Sequence, residues 1–269
     1  MASSASPVGV IGGSGLYRLL DDAEQVAVST PYGDPSDPPV VGRLGDRQVV
    51  FLPRHGADHR FPPHRVNYRA NLWALRTLGV RRVLAPSAVG ALRPDLAPGD
   101  LVVPDQVVDR TWGRSSTFYD DIGTVVHVGL ADPYCAQGRR AAVDLPDPPM
   151  PMVDGGTMVV IQGPRFSTRA ESRWNAAAGG DIVGMTGMPE AALARELAMC
   201  YTSLAVVTDA DAGVEASGAV SHQAVLAEFA RSVDRLRTLL GQLVGALPLD
   251  DECTCRHSLD GLDLPFALP

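Results

Sequence analysis

The run Ser203-Leu204-Ala205-Val206-Val207-Thr208-Asp209-Ala210-Asp211 constrains this chain more than any other stretch. Short, apolar and β-branched, it reads as a buried parallel strand, the kind found in a sheet covered on both faces. It then ends abruptly in two carboxylates separated by one residue. Open α/β sheets place their ligand sites at strand C-terminal ends, and residues two apart in extended backbone point to the same side. Asp209 and Asp211 can therefore face one ligand. Two acids there suit a group that carries N–H donors or must be protonated. A strand-to-loop turn with Asp as turn former or helix cap accounts for this segment equally well on its own.

The rest of the chain repeats the strand–helix alternation. Val8-Gly9-Val10-Ile11 is a short buried strand, and Val40–Leu44 with Gln48–Leu52 reads as a hairpin turning at Gly45-Asp46. Asn67–Leu78 is helical, with Leu72, Leu75 and Leu78 on one stripe. Val83-Leu84-Ala85, Leu101-Val102-Val103 and Met158–Ile161 are further strands. Asp144–Pro151, with its prolines, is a loop. Pro189–Met199 is a helix entered through proline. Val220–Val244 is a long amphipathic helix whose apolar stripe is Val225, Phe229, Val233, Leu236, Leu240 and Leu243. Such alternation predicts an α/β fold with a mixed, mostly parallel sheet. No linker divides the chain.

Composition narrows the partners. At 269 residues the chain can bury a full core as one large domain. Its net charge of −8 argues against nucleic acid as a general partner. No apolar span is long enough for a membrane helix. The start, Met1-Ala2-Ser3-Ser4-Ala5-Ser6-Pro7, lacks the basic segment of a signal peptide, so a cytoplasmic location is expected. Four cysteines do not make a disulfide framework in a chain this size. Cys135 and Cys200 read as small core residues. Cys253-Thr254-Cys255-Arg256-His257 hints at a metal, but zinc sites space cysteines about two to four residues apart and need a fourth ligand. The expectation is no metal, and a reduced, partly exposed tail.

Small residues, hydroxyls and cations recur at strand ends. Gly12-Gly13-Ser14-Gly15 follows the first strand, where backbone N–H groups and a hydroxyl can line an anion. It is not a dinucleotide fingerprint, because Arg18 stands where the third glycine belongs. Arg54-His55-Gly56 closes the second hairpin strand and offers a planar fork for phosphate oxygens. Pro86-Ser87-Ala88-Val89-Gly90 and Gly184-Met185-Thr186-Gly187-Met188-Pro189-Glu190 each place a hydroxyl just beyond a strand, the latter before a helix N-terminus. Gly163-Pro164-Arg165-Phe166-Ser167 adds a ring that can stack on a flat heterocycle or simply fill core.

Taken in order, Ile11–Gly15, Arg54-His55-Gly56, Val66-Asn67-Tyr68-Arg69-Ala70-Asn71, Gln162–Ser167, Met185–Glu190 and Thr208–Asp211 resemble the purine nucleoside phosphorylase superfamily, within it the trimeric methylthioadenosine phosphorylases. The resemblance runs from about Val8 to Leu243. It implies one α/β domain over residues 8–246, with tails at 1–7 and 247–269, its mixed sheet closing into a distorted barrel flanked by helices. It implies a homotrimer with part of each site supplied by a neighbour, and the apolar Leu262–Leu268 segment, exposed in a monomer, agrees with that. The implied reaction is phosphorolysis of a 5′-substituted adenine nucleoside, with inorganic phosphate as co-substrate and neither metal nor organic cofactor.

On the same basis Gly12, Ser14, Arg54, His55, Ser87, Ala88 and Thr186 would hold phosphate. Met185, Ala88, Phe166 and Ser167 would meet the nucleoside, and Asp209 and Asp211 the N7 and 6-amino edge of the base. His127, His222 and Val225 would line the 5′ pocket. A histidine at position 222 departs from the apolar residue of the family and makes that pocket smaller or more polar, unless His222 merely caps its helix. Rival readings are a 6-oxopurine or methylthioinosine phosphorylase, a phosphorylase for another substituent such as 5′-fluoro-5′-deoxyadenosine, a nucleosidase using water, and a non-catalytic nucleoside-binding protein. Asparagine in place of Asp209 would suit 6-oxopurines, so two aspartates point to adenine.

Overall fold

Two strands of this molecule organise the others, and at 10 and 11 residues they are the longest in the sheet among the described residues. In the computed structural model, residues 6–13, 16, 20–121, 123–211, 222–249 and 252–269 are described. In chain order the elements are β1 (Val8–Gly12), β2 (Asp21–Gln25), β3 (Val40–Leu44), β4 (Arg47–Pro53), α1 (Tyr68–Thr77), β5 (Arg82–Ala91), β6 (Leu101–Val103), β7 (Gln106–Arg110), α2 (Ala136–Val143), β8 (Met152–Asp154), β9 (Thr157–Ile161), α3 (Arg169–Ala177), β10 (Ile182–Gly184), α4 (Gly187–Glu196), β11 (Cys200–Ala210) and α5 (His222–Ala246). This is a single α/β domain with a mixed sheet and flanking helices.

Strand β5 pairs in parallel with β11 along its whole length. On its other edge it pairs with β1 only over Arg82–Leu84, and with β10 only at Gly90 and Ala91. The edge is open between, over Ala85–Val89, and that opening becomes the site. The sequence places Pro86-Ser87-Ala88 in a loop beyond the strand. They lie inside it, because β1 has already left that edge where Pro86 stands and a proline is tolerated where a ladder is open. The remaining order runs β2-β3-β4-β1 on one side and β10-β9-β7 on the other, with β6 and β8 continuing from β11. The ladders end at β2, β7 and β8, and no pairing among the described residues closes the sheet into a barrel by hydrogen bonds.

Helices α1, α4 and α5 form where their patterns place them, and α2 and α3 are additional to that reading. The Asn67 side chain caps α1 by accepting from the Ala70 N–H, and Leu72 and Leu75 are fully buried beneath it. Helix α5 sets Leu236, Leu239, Leu240 and Leu243 at zero exposure among the β1, β4, β6 and β11 side chains, each contributing about 1.5–3 kcal/mol of burial. Regular helical backbone in α4 begins at Pro189, since Met188 is extended at φ −120°, ψ 137°. No described helix is long and apolar enough to cross a membrane.

The C-terminal segment departs from expectation. Its Phe266 ring stacks on Tyr119 at 5.2 Å and packs against Trp73 at 5.6 Å, and Leu268 rests on the core. Neighbours within the same chain thus half-bury Leu264, Phe266 and Leu268, while Leu262 stays 37% exposed.

Candidate functional site

The C-terminal ends of β1, β4, β9, β10 and β11 converge on the open edge of β5, enclosing a cavity of about 460 Å³. Arg54, His55, Ser87, Ala88, Phe166, Ser167, Met185, Thr186, Asp209, Asp211 and Val225 all line it. Gly12 does not: a Cβ there would meet Leu16 Cδ1 at 2.7 Å, so this glycine serves close packing, and its neighbour Gly13 faces the cavity. Ser14 lies outside the described residues, as does the side chain of His222. His127 is exposed and is not among the lining residues, so the chain does not bring it to its own cavity.

Asp209 and Asp211 do share the wall, although β11 slips register between Val207 and Asp209. Gly90 makes room for them. A Cβ on it would stand 3.2 Å from Asp209 Oδ2 and 3.3 Å from Asp211 Cβ. Burial raises the Asp209 pKa and the Asp211 charge raises it further, against the Thr208 hydroxyl, which lies 2.8 Å from Asp209 Oδ1. Asp211 is itself buried and accepts from the Ser172 hydroxyl on α3. Ser167 Oγ is buried with no partner among the described residues while lining the cavity, as a ligand-facing donor is.

The opposite wall suits an anion. Thr186 stands in the β10–α4 turn, its side chain caps no backbone N–H, and it lines the cavity, while the regular helix begins only at Pro189. Arg54 is only 3% exposed, and its fork is not open as the sequence suggests. Its Nε and Nη2 donate to Glu190 at 2.6 and 3.0 Å, Nη2 also to the Ile11 carbonyl, and Nη1 to the Pro86 carbonyl. Of about five N–H donors on a guanidinium, one is left for a ligand among the described residues. Burial opposes this charge, but Glu190 outweighs burial and holds Arg54 more firmly protonated than usual.

His55 brings its Nδ1 within 2.8 Å of the Phe61 carbonyl, so the proton sits on Nδ1 and Nε2 is the acceptor. Burial, then the Arg54 charge, push its pKa down to about 4. The unfolded chain protonates this residue near 6.5 and the folded one near 4, so the unfolded state binds more protons between those values. Stability from His55 is thus complete above about pH 6.5 and lost as pH falls toward 4, on the order of 3 kcal/mol in all. Unfolding profiles of wild type and His55→Gln should diverge in slope over that window. Parallel profiles would show that His55 titrates as it does in solution.

Sequence reasoning missed Arg114. It donates through Nη1 to the Met185 and Met188 carbonyls at 2.9 and 2.6 Å and through Nη2 to that of Gln162 at 2.8 Å, tying the β10–α4 turn to the end of β9. No periodicity marks a lone arginine in an irregular segment. Glu190 belongs to the Met185–Glu190 motif, yet its partner lies far away in sequence. His59 and Arg60, beyond the Arg54-His55 pair, also line the cavity. The cysteine-bearing tail is corrected as well. Cys253 and Cys255 are 3% and 4% exposed and pack with Cys135 and Cys200, while His257 turns outward to Asp260 at 2.8 Å.

The sequence profile of the Phosphorylase superfamily matches residues 7–245. A purine nucleoside phosphorylase of Streptomyces coelicolor is 58% identical, over 97% of this chain and 97% of its own length. An S-methyl-5′-thioadenosine phosphorylase of Mycolicibacterium smegmatis is 57% identical, over 97% of this chain and 99% of its own. Among solved structures, methylthioadenosine phosphorylase from Schistosoma mansoni in complex with adenine is similar with a TM-score of 0.83 at 40% identity, covering 91% of this chain and 93% of that one.

Proposed function

The chain belongs to the phosphorylase superfamily, and we propose that it is a cytoplasmic pentosyltransferase that cleaves a 5′-substituted adenine nucleoside, 5′-methylthioadenosine foremost, with inorganic phosphate to give adenine and 5-substituted ribose 1-phosphate. The observation that carries this reading is one cavity with two unlike walls, an acid pair on one side and neutral or cationic donors on the other. The fold in this reading wraps its forked sheet around the site as a distorted barrel.

A phosphate oxygen attacks C1′ as the C1′–N9 bond breaks, and the bonding pair passes to the purine. Positive charge grows on the ribosyl ring, where the phosphate beneath it is both nucleophile and counter-charge. Negative charge grows on the base, and Asp209 delivers a proton to N7 so that neutral adenine leaves. The proton that hydrogen phosphate gives up restores Asp209. Asp211 accepts from the 6-amino group, Phe166 lies on the base, and Met185 with Ala88 packs against the ribose. Ser87, Thr186, the Gly13 turn and the remaining Arg54 donor hold the phosphate. Neutral His55 suits the same ligand, since its Nε2 can accept from the P–OH of hydrogen phosphate.

The test is release of free adenine from methylthioadenosine with and without phosphate. Strict phosphate dependence is expected. Release in phosphate-free buffer would mark a nucleosidase, and faster turnover of inosine than of methylthioadenosine would mark a 6-oxopurine enzyme.

The active species in this reading is a homotrimer, with His127 serving a neighbour's 5′ pocket. Its exposure, beside Val125 at 73%, supports that placement. Sedimentation at assay concentration should give three chains. A fully active single chain would overturn this part.

A further inference from the structure

The cysteines converge in a way that the phosphorolysis does not use. Cys135 caps α2, Cys200 opens β11, and Cys253 and Cys255 lie at the short 3₁₀ turn Thr254–His257. All four are free thiols, all are buried, and their Sγ atoms lie within 4.8 Å of one another. Cys135 and Cys253, 118 residues apart, bring their sulfurs to 3.5 Å. Four sulfurs on a tetrahedral zinc, at about 2.3 Å from the metal, stand about 3.8 Å apart. The donor set is soft and closed, which selects zinc over hard cations and leaves no position for substrate.

The surroundings suit thiolate rather than thiol. The Gly138 N–H donates to Cys135 Sγ at 3.4 Å, and Arg82 Nη1 lies 3.9 Å from Cys200 Sγ. The same Arg82 Nη1 reaches Gln137 Oε1 at 3.1 Å, and Gln137 Nε2 donates to the Glu252 carbonyl at 3.1 Å, next to Cys253. One cation and one backbone N–H therefore contact the sulfurs, and Gln137 ties that cation to the chain beside Cys253, an arrangement that helps orient the ligands and offset the net negative charge of a tetrathiolate.

We propose that Cys135, Cys200, Cys253 and Cys255 bind one zinc ion as a structural tetrathiolate site that fastens the C-terminal segment to the core. Zn²⁺ displaces four protons from four thiols, giving a tetrathiolate zinc of charge −2, and no oxidant is involved. Cys200 and Asp209 sit at opposite ends of β11, about 30 Å apart along an extended strand, so the ion takes no part in the chemistry. Its work is mechanical. The segment it anchors continues to Leu259, which packs on Val126 beside His127, and to Phe266 on Tyr119.

The test uses the full chain, purified with reductant from zinc-supplemented cells. Elemental analysis should find about one zinc per chain. Exchange for Co²⁺ should give the thiolate-to-cobalt charge-transfer band and the intense visible bands of tetrahedral cobalt. Both should vanish in Cys253→Ser/Cys255→Ser, with a lower unfolding temperature. The cobalt spectrum is read on the unaltered protein, so it stands even if that variant does not fold. Absence of metal after reconstitution with Zn²⁺ or Co²⁺, iron in place of zinc, or disulfides in protein whose thiols were trapped at lysis would each overturn the site.

Discussion

Asp209→Asn lowers turnover of methylthioadenosine by about 10²-fold or more while leaving the unfolding temperature nearly unchanged. The size follows from removing a positioned general acid, which typically contributes about 10²–10⁴-fold. The fold is spared because asparagine keeps the volume and can still accept from the Thr208 hydroxyl 2.8 Å away. Burial and the neighbouring Asp211 charge both hold the Asp209 proton on, so the enzyme should lose activity as pH rises through the range where Asp209 deprotonates. That limb should be absent in the variant. An amide at this position can also donate to a 6-oxo group, so relative preference should move from adenosine toward inosine. Near wild-type turnover would sink the mechanism and make Asp209 a structural residue.

Arg54→Ala acts on two properties at once. Glu190 is fully buried and loses its bidentate partner, leaving only the Tyr201 hydroxyl at 2.7 Å among the described residues. Stranding a buried charge in this way costs about 3–5 kcal/mol, which in a chain of this size lowers Tm by roughly 5–10 °C. The apparent KM for phosphate should rise well beyond that for the nucleoside, because the remaining guanidinium N–H is lost with it. The double variant Arg54→Met/Glu190→Met separates the effects. Replacing both partners with apolar side chains removes the stranded charge and should recover most of the stability, while phosphate binding stays weak. A single variant with wild-type Tm would refute the structural role, and a double variant with wild-type phosphate KM would refute the ligand role.

The acid pair is legible in the amino-acid order because a two-residue period and a strand end are local facts. The same holds for the hairpin at Gly45-Asp46, where Gly45 takes the left-handed φ of +60°. It holds also for α1 and α5, whose apolar stripes lie on the core face. Phe166 and the hydroxyls at 87 and 186 are recognisable as strand-end residues, and they do line one cavity. Pro86 misleads, since a proline looks like a strand breaker unless the neighbouring strand is known to have diverged already.

By itself, then, the sequence determined the class of fold, the strands and helices that carry a clear apolar pattern, and the chemical types gathered at the strand ends, but not β2, β7, β8, α2 or α3, whose short or polar runs carry no such pattern. What it determined is written in patterns that span a few residues. Tertiary structure alone decided which distant partners those residues meet. Glu190 takes the fork of Arg54 across 136 positions, and Cys135 meets Cys253 across 118. Only the divergence of β1 and β10 from the long edge of β5 opens the gap that the site occupies. The physical reason is that propensity and periodicity act along the chain, whereas buried charges and thiols are matched by whatever the folded topology carries to them.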